Sequence, residues 1–216
     1  MKIQDDDVEI NLHSKTPIIS SSLAHKYEFY LTGEIQEPEM YLEWFHTIRS
    51  ANDNDVVVIY INSPGGFAST AIQFLSVLDD CDADILIQVE GECYSAATLI
   101  FMKAGVFAIA PHSQFMFHNY SGGAIGKGGE IKEKVSHQTK WSETLLKDVY
   151  KHFFNESEIQ QILDGKDFWM DGEEVIKRMN YRLETFKKEF EDKEKEEMKK
   201  TKAKPTSKEI KVSKKK

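Results

Sequence analysis

Gly91-Glu92-Cys93-Tyr94-Ser95-Ala96-Ala97 decides the reading of this chain. An apolar run at 85–89 stops at the glycine, and a serine follows at the start of an alanine-containing apolar segment. That order predicts a strand, a turn and a helix, with the Ser95 hydroxyl at the turn, where unpaired backbone N–H groups favour negative charge. Downstream, His118 ends a second apolar run, Phe115-Met116-Phe117, and Asp167 follows a helix stop at Asp164-Gly165. A serine, a base and a carboxylate at element ends are the parts of a nucleophilic hydrolase. Taken singly, Ser95 reads as a helix cap, His118 as a structural histidine and Asp167 as a surface carboxylate. Their combination and spacing carry the functional reading.

Outward from that turn, strands and helices alternate. Residues 27–31 alternate like a strand, and 40–48 place Tyr41, Trp44, Phe45 and Ile48 at helical spacing. A β-branched run at 56–61 predicts a strand buried on both faces. Asn62-Ser63-Pro64-Gly65-Gly66 is a turn, and Ala68, Ala71, Ile72, Leu75 and Leu78 form one helix face. A short helix is expected over 96–103 and strands over 106–110 and 114–117. A glycine-rich stretch at 121–129 then leads into a long helix marked by Ile131, Val135, Leu145, Val149 and Phe153. Asn155 with Glu158, and Asp171 with Glu174, have the spacing of helix N-terminal caps. The alternation predicts an α/β fold with parallel pairing.

Composition bounds the rest. The chain has 216 residues, enough for one domain and a tail, and 40% hydrophobic residues, enough for a sizeable core. Residues 199–216 hold nine Lys and one Glu, leaving 19 basic against 35 acidic residues before them, a net of −16. So acidic a body argues against nucleic-acid binding. No apolar run reaches membrane-spanning length, the start of the sequence is acidic rather than signal-like, and Cys81 and Cys93 make no disulfide framework. The expectation is a cytoplasmic protein with no membrane and no nucleic-acid partner. No metal-ligand spacing and no phosphate-binding loop is found, so no cofactor is expected. The organisation expected is a polar arm at 1–25, a catalytic domain at 26–183, and a charged tail at 184–216, read as disordered although its mixed charges up to Lys200 allow a solvated helix, with disorder expected from 201.

Within the site, His118 is preferred among seven histidines because it ends a strand and opens the glycine-rich loop; His112 is second. His13 and His25 fall in the arm, and His46, His137 and His152 on predicted helices. Asp167 can hold the imidazole in the right tautomer. The Pro64-Gly65-Gly66 turn and the N–H of Ala96 can supply donors to a tetrahedral oxyanion. Cys93 reads as a buried apolar filler.

Together Tyr60-Ile61-Asn62-Ser63-Pro64-Gly65-Gly66, Ser95 29 residues later, Phe115-Met116-Phe117-His118, Gly122-Gly123 and Lys166-Asp167 resemble the proteolytic subunit of the ATP-dependent Clp protease. The resemblance runs from about residue 27 to 179. It implies the ββα spiral of the Clp and crotonase superfamily, with a protruding handle helix over 121–153. It implies a serine endopeptidase with Ser95 as nucleophile, His118 as base, Asp167 as third member, and Gly66 and Ala96 as oxyanion hole. Substrate would bind as an added strand beside Gly65, Phe67, Ala68, Asn119 and Ser121. It further implies a homo-oligomer, a heptameric ring or stacked double ring, taking unfolded polypeptides from a separate Clp-family ATPase, the only user of ATP.

Departures mark a divergent member, of the kind a phage or mobile element carries. Cys93 and Tyr94 replace alanines, with Tyr94 expected to alter packing under the nucleophile. Ala96 replaces a methionine, and Asn119-Tyr120 replaces Gln-Pro. Competing readings are a catalytically silent ring subunit, a crotonase-type acyl-CoA enzyme, a capsid- or scaffold-processing peptidase, and a serine–lysine peptidase using Lys103 or Lys127.

Overall fold

A computed structural model describes residues 24–202. Its centre is a six-stranded sheet: β1 (Lys26–Thr32), β2 (Val56–Ser63), β3 (Asp84–Tyr94), β4 (Val106–Ile109), β5 (Gln114–Phe117) and β6 (Phe168–Asp171). The strands β1, β2 and β3 pair in parallel. The long β3 then serves two neighbours on its other edge, β4 through Leu86–Val89 and β5 through Glu92–Tyr94, both parallel. Only β6 is antiparallel, laid along β5. The expected α/β class and parallel core are what the sheet shows. Val57, Val58, Ile59 and Ile61 of β2 are buried, as a β-branched run in a central parallel strand requires.

Helices α1 (Leu42–Ser50) and α2 (Ala68–Asp79) cover one part of the sheet, with a 3-10 turn at Pro38–Tyr41 leading into α1. Tyr41, Phe45 and Phe74 pack edge to face between them, with ring centroids 4.8–5.3 Å apart for the contacts to Phe74. A second aromatic cluster lies under β5: Phe117 meets Tyr150, Phe153 and Phe154 at 5.1–5.6 Å, and Phe154 meets Phe168 at 5.3 Å. Such pairs each add about 0.5–1.5 kcal/mol beyond the area they bury. This second cluster fixes α4 (Gly128–Val149) and α5 (Glu156–Leu163) against the strand that carries His118. The first turns of α4 are exposed; burial begins at Ser142 and continues through Leu146 and Val149.

Both expected caps form. Asn155 accepts from the Glu158 N–H at 2.9 Å while Glu158 accepts from the Asn155 N–H at 3.0 Å, and Asp171 accepts from the Glu174 N–H at 2.9 Å. Each such cap stabilises a helix by about 1 kcal/mol.

Four expectations are corrected. The strand through residue 89 does not end at Gly91; β3 continues to Tyr94. The register shifts between Ile61 and Ser63, and the Asn62 carboxamide spans the gap by accepting from the Glu92 N–H at 3.0 Å. A side chain at 91 would collide with it, its Cβ 2.5 Å from Asn62 Oδ1, so the glycine admits Asn62 rather than breaking the strand. Second, β6 was not expected, since four residues carry no period; it exists because β5 offers an edge.

Third, the stretch at 184–202 is not a separate disordered tail: the solvated helix its charges allowed is formed, as the continuation of helix α6 (Gly172–Lys202). Its start is anchored: Arg178 bonds Glu158, Glu174 and the Phe153 carbonyl, and buried Arg182 donates to the carbonyls of Lys151 and Met102. Burial pushes Arg182 down to about 10. Past residue 184, Glu189 pairs with Lys151 at 2.9 Å and His152 at 2.8 Å. Fourth, His152 is not helical; it stands in the turn after α4 at φ 65°. Of the arm expected at 1–25, residues 1–23 lie outside the described residues, as do His13 and the lysine-rich end at 203–216. His25 is not loose, since its N–H donates to Asp55 Oδ1 at 2.8 Å and its carbonyl accepts from the Val56 N–H at 2.9 Å. No helix among the described residues is long and apolar enough to cross a membrane.

Candidate active site

Ser95 sits between β3 and α3 (Ala96–Phe101) at φ 53°, ψ −123°. A non-glycine residue holds such a conformation only where its surroundings over-determine it. Here they do. The Ser95 N–H donates to Met116 O at 2.8 Å, fixing the turn to β5. The Gly65 turn presses on it from the other side: a Cβ at Gly65 would lie 2.7 Å from Tyr94 O and 2.8 Å from Ser95 Cβ. Gly65 also adopts φ 94°, so no L side chain fits there.

The next element supplies the base. His118 follows the last residue of β5, and its Nε2 stands 2.6 Å from Ser95 Oγ. The parallel register Tyr94↔Met116 brings the two strand ends level, so the hydroxyl and imidazole meet although 23 residues separate them.

Gly66 is shaped by a short arm after β1. Ile35 N–H donates to Gly65 O at 2.7 Å, and Phe67 N–H donates to Ile35 O at 3.0 Å. In a parallel bridge of this kind the intervening residue turns its own N–H and C=O the other way. Gly66 therefore offers its N–H to the opposite side, where it lines the cavity with Ser95 and His118. A Cβ there would lie 2.3 Å from Ile35 O. Ala96 is the first residue of α3, so its N–H has no acceptor within the helix. Two donors thus flank the nucleophile's turn.

The cavity measures about 470 Å³ and is bordered on its apolar side by Leu99, Trp141, Leu145 and Leu146. Phe67, Ala68, Asn119 and Ser121 line it as well; Gly65 lies beneath the turn rather than on the cavity wall. Asn119 is tied down: it accepts from Ser142 Oγ at 2.5 Å and from the Tyr120 N–H at 2.9 Å.

Asp167 stands just before β6. The β5–β6 register pairs Phe117 with Phe168, and one further step sets His118 opposite Asp167. The side chain is exposed, and among the described residues no hydrogen bond or ion pair joins it to His118. The structure brings Ser95 and His118 into contact and leaves Asp167 adjacent but unengaged.

Other candidates fall away from the cavity. His112 occupies an exposed turn at φ 68°. Lys103 is paired with Asp79 at 2.5 Å, and Lys127 stands before α4; neither lines the cavity. Cys93 is fully buried and burial pushes its thiol up, so it packs as the filler expected. Tyr94 does not sit under the nucleophile. Strand alternation turns it to the other face, where it meets Trp169 edge to face at 5.3 Å and bonds Gln114. Among the described residues no group of three or more His, Cys, Asp or Glu is placed to hold a metal.

The sequence does not single out Thr98 and Tyr150, and it offers Asn62 only as part of a turn. The only clue was local: Thr98 is the single hydroxyl in the otherwise apolar α3.

Known proteins agree with this architecture. The sequence model of a family described as Clp protease matches residues 13–179. The ATP-dependent Clp protease proteolytic subunit of Bacteroides thetaiotaomicron is 23% identical over 155 residues, covering 71% of this chain and 68% of that protein. With most of its length matched by that family's model, the chain belongs to the Clp protease family.

Proposed function

We propose that this chain is a serine endopeptidase that cleaves unfolded polypeptides inside a homo-oligomeric ring. The observation that carries the reading is the 2.6 Å contact between Ser95 Oγ and His118 Nε2 at a strained turn. In the reactive tautomer the hydroxyl donates to Nε2. As Oγ attacks the scissile carbonyl carbon, Nε2 takes its proton and the carbonyl oxygen becomes an oxyanion. The N–H groups of Gly66 and Ala96 receive that charge. The imidazolium then protonates the leaving amine, and water, deprotonated by the same nitrogen, releases the acyl group. Asp167 is the proposed orienting carboxylate for Nδ1.

Among the described residues no strand pairs with the side of Gly66 turned away from Ile35, and this edge beside Gly66, Phe67 and Ala68 suits a substrate strand. The apolar wall favours a bulky apolar side chain next to the cut. The exposed first turns of α4 are the proposed handle between rings, in a heptameric ring or a stacked pair. A separate Clp-family ATPase would supply unfolded chains, the ATP being consumed there.

The test is hydrolysis of short fluorogenic peptides and of a permanently unfolded protein by the full chain and by Ser95→Ala. Peptide turnover that vanishes in the variant supports the reading; turnover unchanged in Ser95→Ala overturns it. A second reading, a catalytically silent ring subunit, draws on the gap between Asp167 and His118. It predicts no turnover by the wild type in a ring of full mass.

A further inference from the structure

We propose that Tyr150 is a positioning residue acting through Thr98. A directed hydrogen-bond relay, Tyr150 to Thr98 to the Ser95 carbonyl, orients and strengthens the Ala96 N–H as an oxyanion donor. The inference rests on the serine-peptidase reading above and adds a device to the same site.

Helix α3 reads Ala-Ala-Thr-Leu-Ile-Phe, and all six residues are buried. Thr98 is 0% exposed, so its hydroxyl must find partners inside the protein. It finds two, Ser95 O at 2.6 Å and the Tyr150 hydroxyl at 2.6 Å. The directions follow from proton counting. A carbonyl only accepts, so the one Thr98 proton goes to Ser95 O. Tyr150 must then donate its proton to Thr98 Oγ1. Burial pushes the Tyr150 phenol up, which keeps that proton in place over the working pH range.

Ser95 O also accepts from the Thr98 N–H at 2.9 Å. This doubly bonded carbonyl belongs to the same peptide unit as the Ala96 N–H. Hydrogen bonds that draw electron density onto the oxygen raise the double-bond character of the C–N bond and make its N–H a better donor. They also fix the plane of the peptide that follows the strained Ser95. Tyr150 itself is immobilised, 1% exposed and edge-on to Phe117 and Phe154, each at 5.6 Å. It follows directly on α4, whose Leu145 and Leu146 line the cavity. The position of α4 is thereby transmitted to the oxyanion donor through two oxygens.

The experiment compares the full-length wild type with Tyr150→Phe, Thr98→Val, the double variant and Thr98→Ser. It reads kcat and KM on a fluorogenic peptide, and affinity for a peptide boronate, whose tetrahedral adduct loads the oxyanion site. Tyr150→Phe leaves Thr98 bonded to Ser95 and the fold intact. Losing an oxyanion donor outright costs about 10²–10³; weakening one predicts about a tenfold loss in kcat and in boronate affinity, with KM within about twofold. The double variant is no worse than Thr98→Val, and Thr98→Ser restores kcat because it restores the hydroxyl. Tyr150→Phe with wild-type kcat and boronate affinity overturns the relay, whatever its melting temperature. A folded wild type that neither cleaves peptide nor binds boronate overturns the peptidase reading instead, and the relay with it.

Discussion

Around Ser95 four segments converge, whereas Asp167 is held by a four-residue strand at the edge of the sheet. The serine turn is bonded to β5 through Met116, pressed by the Gly65 turn, capped by α3 and bounded below by buried Cys93. Asp167 is exposed and precedes β6, whose Trp169 is 62% exposed. The serine–imidazole pair is thus a product of the sheet interior and is complete in one chain. The carboxylate depends on a short ladder whose outer edge pairs with no strand among the described residues, and which a neighbouring chain can move. In the proposed ring, a neighbouring chain has room to act at Asp167 and not at Ser95.

The largest effect should come from the interior side. Ser95→Ala is expected to reduce peptide hydrolysis on the order of 10⁴–10⁶-fold in a steady-state assay, as loss of the nucleophile removes the covalent route altogether. Gly65→Ala should come next. Its Cβ would meet Tyr94 O at 2.7 Å and Ser95 Cβ at 2.8 Å, so the turn must shift. A displacement of about 1 Å at the reacting group costs roughly 10²-fold, which kcat/KM on the same peptide would report.

Asp167→Asn should cost less, about 10-fold, because no bond to His118 exists in the single chain for it to break. A tightly bonded third member typically costs about 10⁴-fold when replaced in this way. A loss of that size would place Asp167 in a bond to His118 in solution and would contradict the contrast between the two regions.

The smallest effect concerns stability outside the site. Asp55 accepts from the N–H groups of Asn52 and His25, and these bonds hold its carboxyl below the usual carboxylate value. A carboxyl depressed in the folded state contributes stability above its unfolded pKa and loses it as pH falls through the folded value. Thermal scans should therefore show Asp55→Asn lowering Tm at neutral pH, with the gap to wild type closing in acid. A gap that stays constant down to strongly acidic pH would refute this assignment.

The legible parts of the molecule were those written in local chemistry. The β-branched run of β2, the Asn155 and Asp171 caps, and the order Gly65-Gly66, Ser95, His118 each depend on neighbours in sequence or on motif spacing. The illegible parts depend on distant partners. Strand β6 exists because β5 has an edge to offer, and Gly91 is explained only by the Asn62 carboxamide beside it. The Thr98–Tyr150 bond joins residues 52 apart, and the contacts that anchor α6 are likewise distant, with Arg178, Arg182 and Glu189 finding partners on the turn after α4. Amphipathic period alone could not signal that helix, since its far end has no apolar face.

Activation of the Ser95 hydroxyl by His118 is the proposed chemistry on which the rest depends. A fluorophosphonate probe applied to the full folded chain, followed by peptide mapping, tests it directly in wild type and His118→Ala. The expected result is a single adduct at Ser95 that forms readily in the wild type and is lost when His118 is removed. Folded wild type with Ser95 unmodified, or equal labelling of Ser95 in both proteins, would contradict it.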